Sequence, residues 1–183
     1  MKTGIEKFKN VFSDKTCDQI VKYIEDNLEQ ARDLTYTNTQ HVMCKELYAP
    51  NDSELDKTIY KVIDQICSLY IKKYNFFKAH GDTGFQLRKI TGKTREHVDE
   101  VYQGSDFSVI RNISIIIGLN SDYEKGAFHF PYQDFSTTVK RGEAIAFPVY
   151  FMYPHSVDEP IGNRYTINTW ITNSDFPQQH TDN

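Results

Sequence analysis

Apolar positions in the first third of the chain recur at helical spacing. In "SDKTCDQIVKYIEDNLEQA" (13–31), Cys17, Ile20, Val21, Ile24 and Leu28 form one stripe behind the cap-forming residues Ser13 and Asp14. In "NDSELDKTIYKVIDQICSLYIKKY" (51–74), Asn51 and Glu54 make a capping box ahead of Leu55, Ile59, Val62, Ile63, Ile66 and Leu69. Both stripes read as faces packed on a core. From Phe85 the period shortens. "FQLRKI", "DFSVIRNISIIIGLN", "GAFHF", "STTVK", "EAIAFPVYFMYP" and "NRYTINTWI" are short runs rich in β-branched and aromatic residues, punctuated by Gly, Asn, Asp and Pro. At least six strands at this spacing predict a β-sandwich or barrel with helices outside. The expectation is an α+β chain forming a single domain over 1–183, helical from 1 to 84 and β from 85 to 175.

The length of 183 residues suits one domain with its own core, and no repeat, linker or low-complexity tract divides it. A formal charge of −4 gives no electrostatic reason to expect a nucleic-acid partner. Cys17, Cys44 and Cys67 are odd in number and far apart, so they read as reduced, mostly buried thiols. The N-terminal "MKTGIEKFKNVF" lacks an apolar signal core, and no run approaches the roughly 18 apolar residues a membrane span needs. These points predict a cytoplasmic protein with no membrane association.

The chemistry concentrates at "TREHVDEVY" (94–102). In extended backbone, residues i and i+2 point to one side, so His97 and Asp99 can present an imidazole and a carboxylate to one ion. His155, in "YPHSV" at the far end of a strand-like run, is the third candidate. Two histidines and one carboxylate leave positions open, the pattern of non-haem Fe(II) oxygenases, although zinc also accepts such ligands. Nine residues later comes Arg164, in "GNRYTINTW". A guanidinium facing the same cavity suits a carboxylate, because it binds bidentately and stays charged. His129 lacks an arginine nine positions on and reads as a strand residue beside the site. His41, His80 and His180 have no partner pattern and read as solvated.

The order His97-x-Asp99, His155, Arg164 resembles the 2-oxoglutarate/Fe(II)-dependent oxygenases, and within them the prolyl 4-hydroxylase-like subfamily. "RNISIIIGLN" (111–120) is similar to the family's Arg-containing strand ending in Leu-Asn. "KGAFHFP" (125–131) resembles its Gly-Gly-x-Thr-x-Phe-Pro stretch, and "VKRGEAIAFP" (139–148) its Gly-Asp/Glu-x-x-x-Phe strand. "HSVDEPIGNRYTINTWI" (155–171) is similar to its His-x-Val…Pro…Gly-x-Arg-Tyr…Trp ending, and "IEKFKNVFSDKTCDQIV" to its lead-in to the first helix. Three positions depart from the pattern. The tyrosine before His-x-Asp that touches 2-oxoglutarate is replaced at Lys89 or Ile90, an aromatic before Leu-Asn by Gly118, and the first glycine of the pair by Lys125.

The resemblance implies a double-stranded β-helix (jelly roll) with N-terminal helices packed against it. It implies Fe(II) on His97, Asp99 and His155, 2-oxoglutarate on Arg164 and Thr166, O2 as cosubstrate, and ascorbate as a possible auxiliary reductant. The reaction it implies is hydroxylation of a proline-containing peptide or protein, with succinate and CO2 as co-products. Arg111, Trp170 and Tyr102 are the implied substrate contacts, Trp170 as a wall of the proline pocket. A free amino acid or a nucleic-acid base as substrate, or a metal-binding relative without activity, are the other outcomes the scaffold allows.

Overall fold

The computed structural model describes residues 3–35, 42–75, 77–103 and 109–173, with backbone alone at Tyr102 and Gln103. The two expected helices form. Helix α1 (Asp14–Asp26) starts where the Ser13 side chain accepts from the Thr16 amide. Helix α2 (Glu54–Lys73) starts at Ser53, whose hydroxyl accepts from the Asp56 amide while the Asp52 amide donates to the Asp56 carboxylate. The cap is thus Ser53 with Asp56, two positions beyond the expected Asn51–Glu54 box. The buried stripe runs through Ile59, Val62, Ile63, Ile66, Cys67 and Tyr70 at three- and four-residue spacing, which leaves Leu69 exposed.

Strands fill the rest. They are β1 (Glu6–Phe8), β2 (Arg32–Thr35), β3 (Val42–Tyr48), β4 (Gly81–Asp82), β5 (Gln86–Ile90), β6 (Thr94–His97) and β7 (Tyr102–Gln103). Beyond these run β8 (Val109–Gly118), β9 (Phe128–Phe130), β10 (Phe135–Thr137), β11 (Ala144–Pro148), β12 (His155–Val157) and β13 (Arg164–Thr172). The larger sheet has the order β1-β11-β8-β13-β5-β3-β2, with β4 also on β13 and β7 on β8; the smaller has the order β10-β9-β12-β6. Every paired strand is antiparallel. This is the expected jelly roll, with one correction to its limits. The stretch 1–84 is not helical throughout, because β1 joins β11 and β3 joins β5, so the sheet draws on the first 48 residues.

Two apolar layers hold the fold. On one face of the large sheet, Leu87, Ile113, Ile115, Ile117, Ile167 and Ile171 pack against Ile20, Ile24, Ile59, Ile63 and Ile66 of the helices. On the other, Ile116, Ile145 and Phe147 meet Phe128, Phe130 and Val157 of the small sheet. The continuous "ISIII" of β8 follows from this arrangement, since a strand covered on both faces needs apolar residues at successive positions. Cys17, Cys44 and Cys67 are all free and buried, as the sequence implied. Among the described residues no helix is long and apolar enough to cross a membrane.

Gly118, one of the departures noted above, has a packing reason. It ends β8, where its amide donates to Glu143 O and its carbonyl accepts from the Gly142 amide. A Cβ there would stand 2.5 Å from Lys140 O and 2.6 Å from Val139 O, backbone atoms that cannot swing aside. Gly118→Ala is therefore expected to cost about 1–3 kcal/mol through overpacking. A thermal melt should show a midpoint lowered by several degrees; an unshifted midpoint would mean that the 139–142 turn yields freely.

Candidate active site

The small sheet brings the two histidines together. His97 closes β6 and His155 opens β12, and the register makes them direct cross-strand partners. Their ring centroids are 4.4 Å apart. Asp99 follows His97 by two residues, and its Oδ1 lies 3.3 Å from His97 Nε2 and 3.9 Å from His155 Nε2. The three potential ligand atoms all lie within 4.8 Å of one another. His155 is buried, edge-on to Phe147 and stacked on Phe130, whereas His97 is open to solvent.

Tautomers follow from the partners. His97 Nδ1 sits 2.9 Å from Arg95 O, and His155 Nδ1 sits 3.2 Å from Tyr153 O. A carbonyl oxygen only accepts, so each Nδ1 must carry the proton and each neutral ring turns its Nε2 lone pair toward Asp99. Two lone pairs and a carboxylate oxygen then converge on one point. Such a set is repulsive unless a cation or a proton lies among the three, and it suits a divalent metal. The titration behaviour agrees. The hydrogen bond to Asp99 raises His97 above the ordinary histidine range despite its loss of solvent, while burial lowers His155 against the pull of Asp99. Burial opposes ionisation of Asp99, but hydrogen bonds from His97 and Trp170 and the charge of His155 hold its carboxyl at about 2.

Arg164 opens β13, and its pairing with Ile90 sets the two on the same side of the sheet. It is 4 % exposed and lies over the Phe128 ring at 5.1 Å. Its Nη1 is buried with no hydrogen-bond partner, and no described carboxylate forms an ion pair with it. Burial pushes this guanidinium below its usual range, against the influence of Tyr123 and Cys44. An unpaired buried charge costs several kcal/mol, so such a group is in effect a receptor for an anion. Phe128 and Phe130 connect it to the metal cluster, since His155 stacks on Phe130. The residues present thus fit both halves of an iron and 2-oxoglutarate pair.

The other candidates fall around this centre. Thr166 is fully buried one alternation along β13 from Arg164, its hydroxyl 2.7 Å from the Asn168 amide. Trp170 is turned inward and donates from Nε1 to Asp99 Oδ2 at 3.0 Å. The Arg111 guanidinium lies 4.1 Å from the Trp170 ring centroid and 3.4 Å from Glu100 O. The side chain of Tyr102 lies outside the described residues, as do His41 and His180. His129 lies on β9, the strand next to β12, where it contacts Asp158 and Ser136 and is not one of the three clustered residues. His80 is exposed, as expected, and borders a hollow lined by Tyr70, Tyr74, Phe77 and Tyr153.

Lys89 is not a substitute for the departed tyrosine. It alternates out of the cavity, pairs with Glu25 at 2.9 Å and lies over Tyr165. Ile90 faces the site. Two residues, Tyr123 and Arg88, had no local signal. Tyr123 stands beside Arg164 in the loop before β9, its hydroxyl donating to Val139 O at 3.1 Å. Gly126, at φ +74, leaves room for both, because a Cβ there would meet the Tyr123 ring at 2.9 Å and Arg164 Cδ at 3.4 Å. Lys125 adopts φ +61 where the resembling stretch has a glycine. Arg88 also faces the cavity, opposite Thr166, held by Glu46 and Gln86.

A jelly roll bearing a His–Asp–His cluster at its open end has the ligand set of a mononuclear metal site. Comparison with known proteins specifies it further. The 2OG-Fe(II) oxygenase superfamily matches residues 68–172, more than half of the chain. The protein belongs to that superfamily of dioxygenases, which use Fe(II), 2-oxoglutarate and O2. A search of curated proteins gives no match. Among solved structures, a viral collagen prolyl hydroxylase from Paramecium Bursaria Chlorella virus-1, in its 2OG complex, has TM-score 0.72 and 17% identity, covering 93% of this chain and 96% of that one. A Trichoplax adhaerens prolyl hydroxylase in complex with a hypoxia inducible factor peptide has TM-score 0.73 and 13% identity, covering 93% and 84%. A Pseudomonas putida prolyl-4-hydroxylase has TM-score 0.67 and 15% identity, covering 92% and 91%.

The opposed shifts of the histidines set a pH dependence. In the apo protein, the stabilisation from the His97–Asp99 contact is full below the unfolded histidine pKa of about 6.5 and is lost as pH rises through the raised folded value. Metal binding has the opposite sign, because the ion must displace that proton. Affinity for Co(II) is expected to climb with pH, by up to roughly tenfold per unit below His97's pKa, with about one proton released per ion. Calorimetry in buffers of different ionisation enthalpy reads that release; a pH-independent affinity would exclude His97 as a ligand.

Proposed function

We propose that the protein hydroxylates a peptidyl residue, proline first, consuming 2-oxoglutarate and O2 and yielding succinate and CO2. The observation that carries this reading is the buried, unpaired Arg164 in the same apolar layer as the His97–Asp99–His155 cluster. His97, Asp99 and His155 would hold Fe(II), which with the bound oxo-acid supplies the O2 activation. Arg164, with Thr166 beside it, would bind the distal carboxylate of 2-oxoglutarate, and Tyr123 would border it. Phe128, Phe130 and Phe147 would shield the His155 side of the centre.

The proline assignment draws support from the solved structures that share the fold, since those proteins are prolyl hydroxylases. Two features of this chain agree with a peptide. The loop leading to His155 exposes Tyr150, Phe151 and Met152, Phe151 at 76%, and Tyr132 is exposed as well. Exposed apolar clusters of this kind mark interaction sites. Beside Asp99, Arg111 lies on the Trp170 ring and would offer a donor to a backbone carbonyl near an apolar ring. A polyproline II segment suits such a surface, because little ordering entropy is lost on binding.

Losing a buried charge-assisted contact costs about 2–5 kcal/mol. Arg164→Ala is expected to raise the KM for 2-oxoglutarate by roughly 30-fold or more, while Co(II) still binds. Lys89→Ala should leave that KM unchanged, since its side chain faces Glu25. An Arg164→Ala enzyme with normal KM would overturn the anchor. Proline-rich peptides should stimulate succinate production and gain one oxygen on proline by mass spectrometry. Oxygen placed on another residue, a free amino acid or a methylated base would keep the oxygenase and discard the prolyl assignment.

A further inference from the structure

The chain has a single tryptophan, and it is bonded to the cluster as well as bordering it. Asp99 divides its two oxygens. Oδ1 faces His97 Nε2 at 3.3 Å and His155 Nε2 at 3.9 Å, while Oδ2 accepts from Trp170 Nε1 at 3.0 Å. The indole itself is fixed. It is 9% exposed, its ring lies 4.1 Å from the Arg111 guanidinium and 6.0 Å from that of Arg88, and its own amide donates to Thr83 Oγ1. Arg88 is held in turn by Glu46 and Gln86, so the ring has little freedom to release the carboxylate.

A carboxylate can bind an ion through one oxygen or through both. If Asp99 used both, it would take two positions and leave fewer for a chelating oxo-acid and O2. An indole N–H is a donor only, and burying it without an acceptor is unfavourable, so Oδ2 and the indole each hold the other in place. We propose that Trp170 is a positioning residue that occupies Asp99 Oδ2, restricts the carboxylate to one bond with the ion and so keeps a coordination position open. This rests on the metal reading above, and it gives Trp170 a role separate from that of a wall for the substrate.

The test counts water on the ion without turnover. The wild type and Trp170→Phe, which keeps an aromatic ring but lacks the N–H, are loaded anaerobically with Mn(II) in the absence of 2-oxoglutarate. Broadening of the Mn(II) EPR lines in ¹⁷O-enriched water reports the bound waters. An octahedral ion on three protein atoms should hold roughly three waters in the wild type, falling by about one in Trp170→Phe as Asp99 turns bidentate. Equal water counts in the two proteins overturn the proposal. Mn(II) binding by neither protein would overturn the metal reading itself, and is distinguishable from that result.

Should Trp170→Phe not fold, the bond is read in the apo protein from the lone indole ¹H–¹⁵N resonance. Solvent exchange of that proton should be slow in the wild type and lose its protection in Asp99→Ala. An exchange rate unchanged by Asp99→Ala also overturns the proposal.

Discussion

Strand β13 is buried along all nine of its residues, and the two-residue alternation of its side chains divides the work of the molecule. Tyr165, Ile167 and Ile171 face the helices and belong to the larger core. Arg164, Thr166, Asn168 and Trp170 face the other way, into the space between the sheets. Neighbours β8 and β5 fix this strand on both edges through backbone ladders, so its register cannot slip by one residue without exchanging core for site. Positions of the anion receptor and of the indole beside Asp99 are therefore set by the same pairing that makes the sheet. The metal cluster depends on it at one remove: Asp99 is tied to β13 through Trp170, and His155, stacked on Phe130 of its own sheet, meets the opposing sheet through Phe147.

Two arginines on that inner face show how the protein separates structure from ligand binding. Arg88 is satisfied. Its Nε donates to Glu46 and its Nη2 to Gln86, and with the Asn168 amide turned so that its nitrogen meets Thr166, Nη1 donates to Asn168 at 3.1 Å. Glu46, 1% exposed, is matched by Arg32 as well, so its charge is buried but paired. Arg164 lies one alternation away from Thr166 with none of this. Burying an unpaired guanidinium is unfavourable for the apo protein, and the fold tolerates it because the surrounding rows over-determine the strand. A polar group left unpaired amid well-paired neighbours is better evidence of a binding function than the arginine's sequence context alone.

How much of this was legible in the sequence follows from the range of each interaction. The run expected to carry His155 ends at Pro148, and His155 opens the short strand β12 instead. His-x-Asp, by contrast, is a local pattern in extended backbone, and Arg164 opens a strand dense in β-branched residues. Strands β5, β8, β11 and β13 are legible for the same reason. Strand β3 is not, because "VMCKELY" carries Lys45 and Glu46, and a buried glutamate looks like a surface residue until Arg32 and Arg88 arrive from other strands. Strands β6, β9 and β12 hold three or four residues each and exist only through their pairing. Lys89 and Ile90 could not be ranked by spacing alone; the β5–β13 register does so by pairing Ile90 with Arg164.

The bond between Trp170 and Asp99 spans 71 positions and has no local signature, yet it alters what the site means. A tryptophan read only from its place near the end of a β13-like run is an apolar wall. Set against a metal-facing carboxylate, with a guanidinium on its ring, it becomes part of the support for that carboxylate. Orientation is then carried through a chain of contacts: Glu46 fixes Arg88, Arg88 and Arg111 flank the indole, and the indole fixes Asp99. Glu46 and Arg88, the outer members, lie outside the His97–Asp99–His155 set. They pack behind the indole that bonds Asp99, the place that groups supporting a metal site's own ligands generally occupy. The ion pairs that Glu46 makes with Arg32 and Arg88 thus lie in contact with the indole that bonds Asp99, although their sequence reads as unremarkable charged strand.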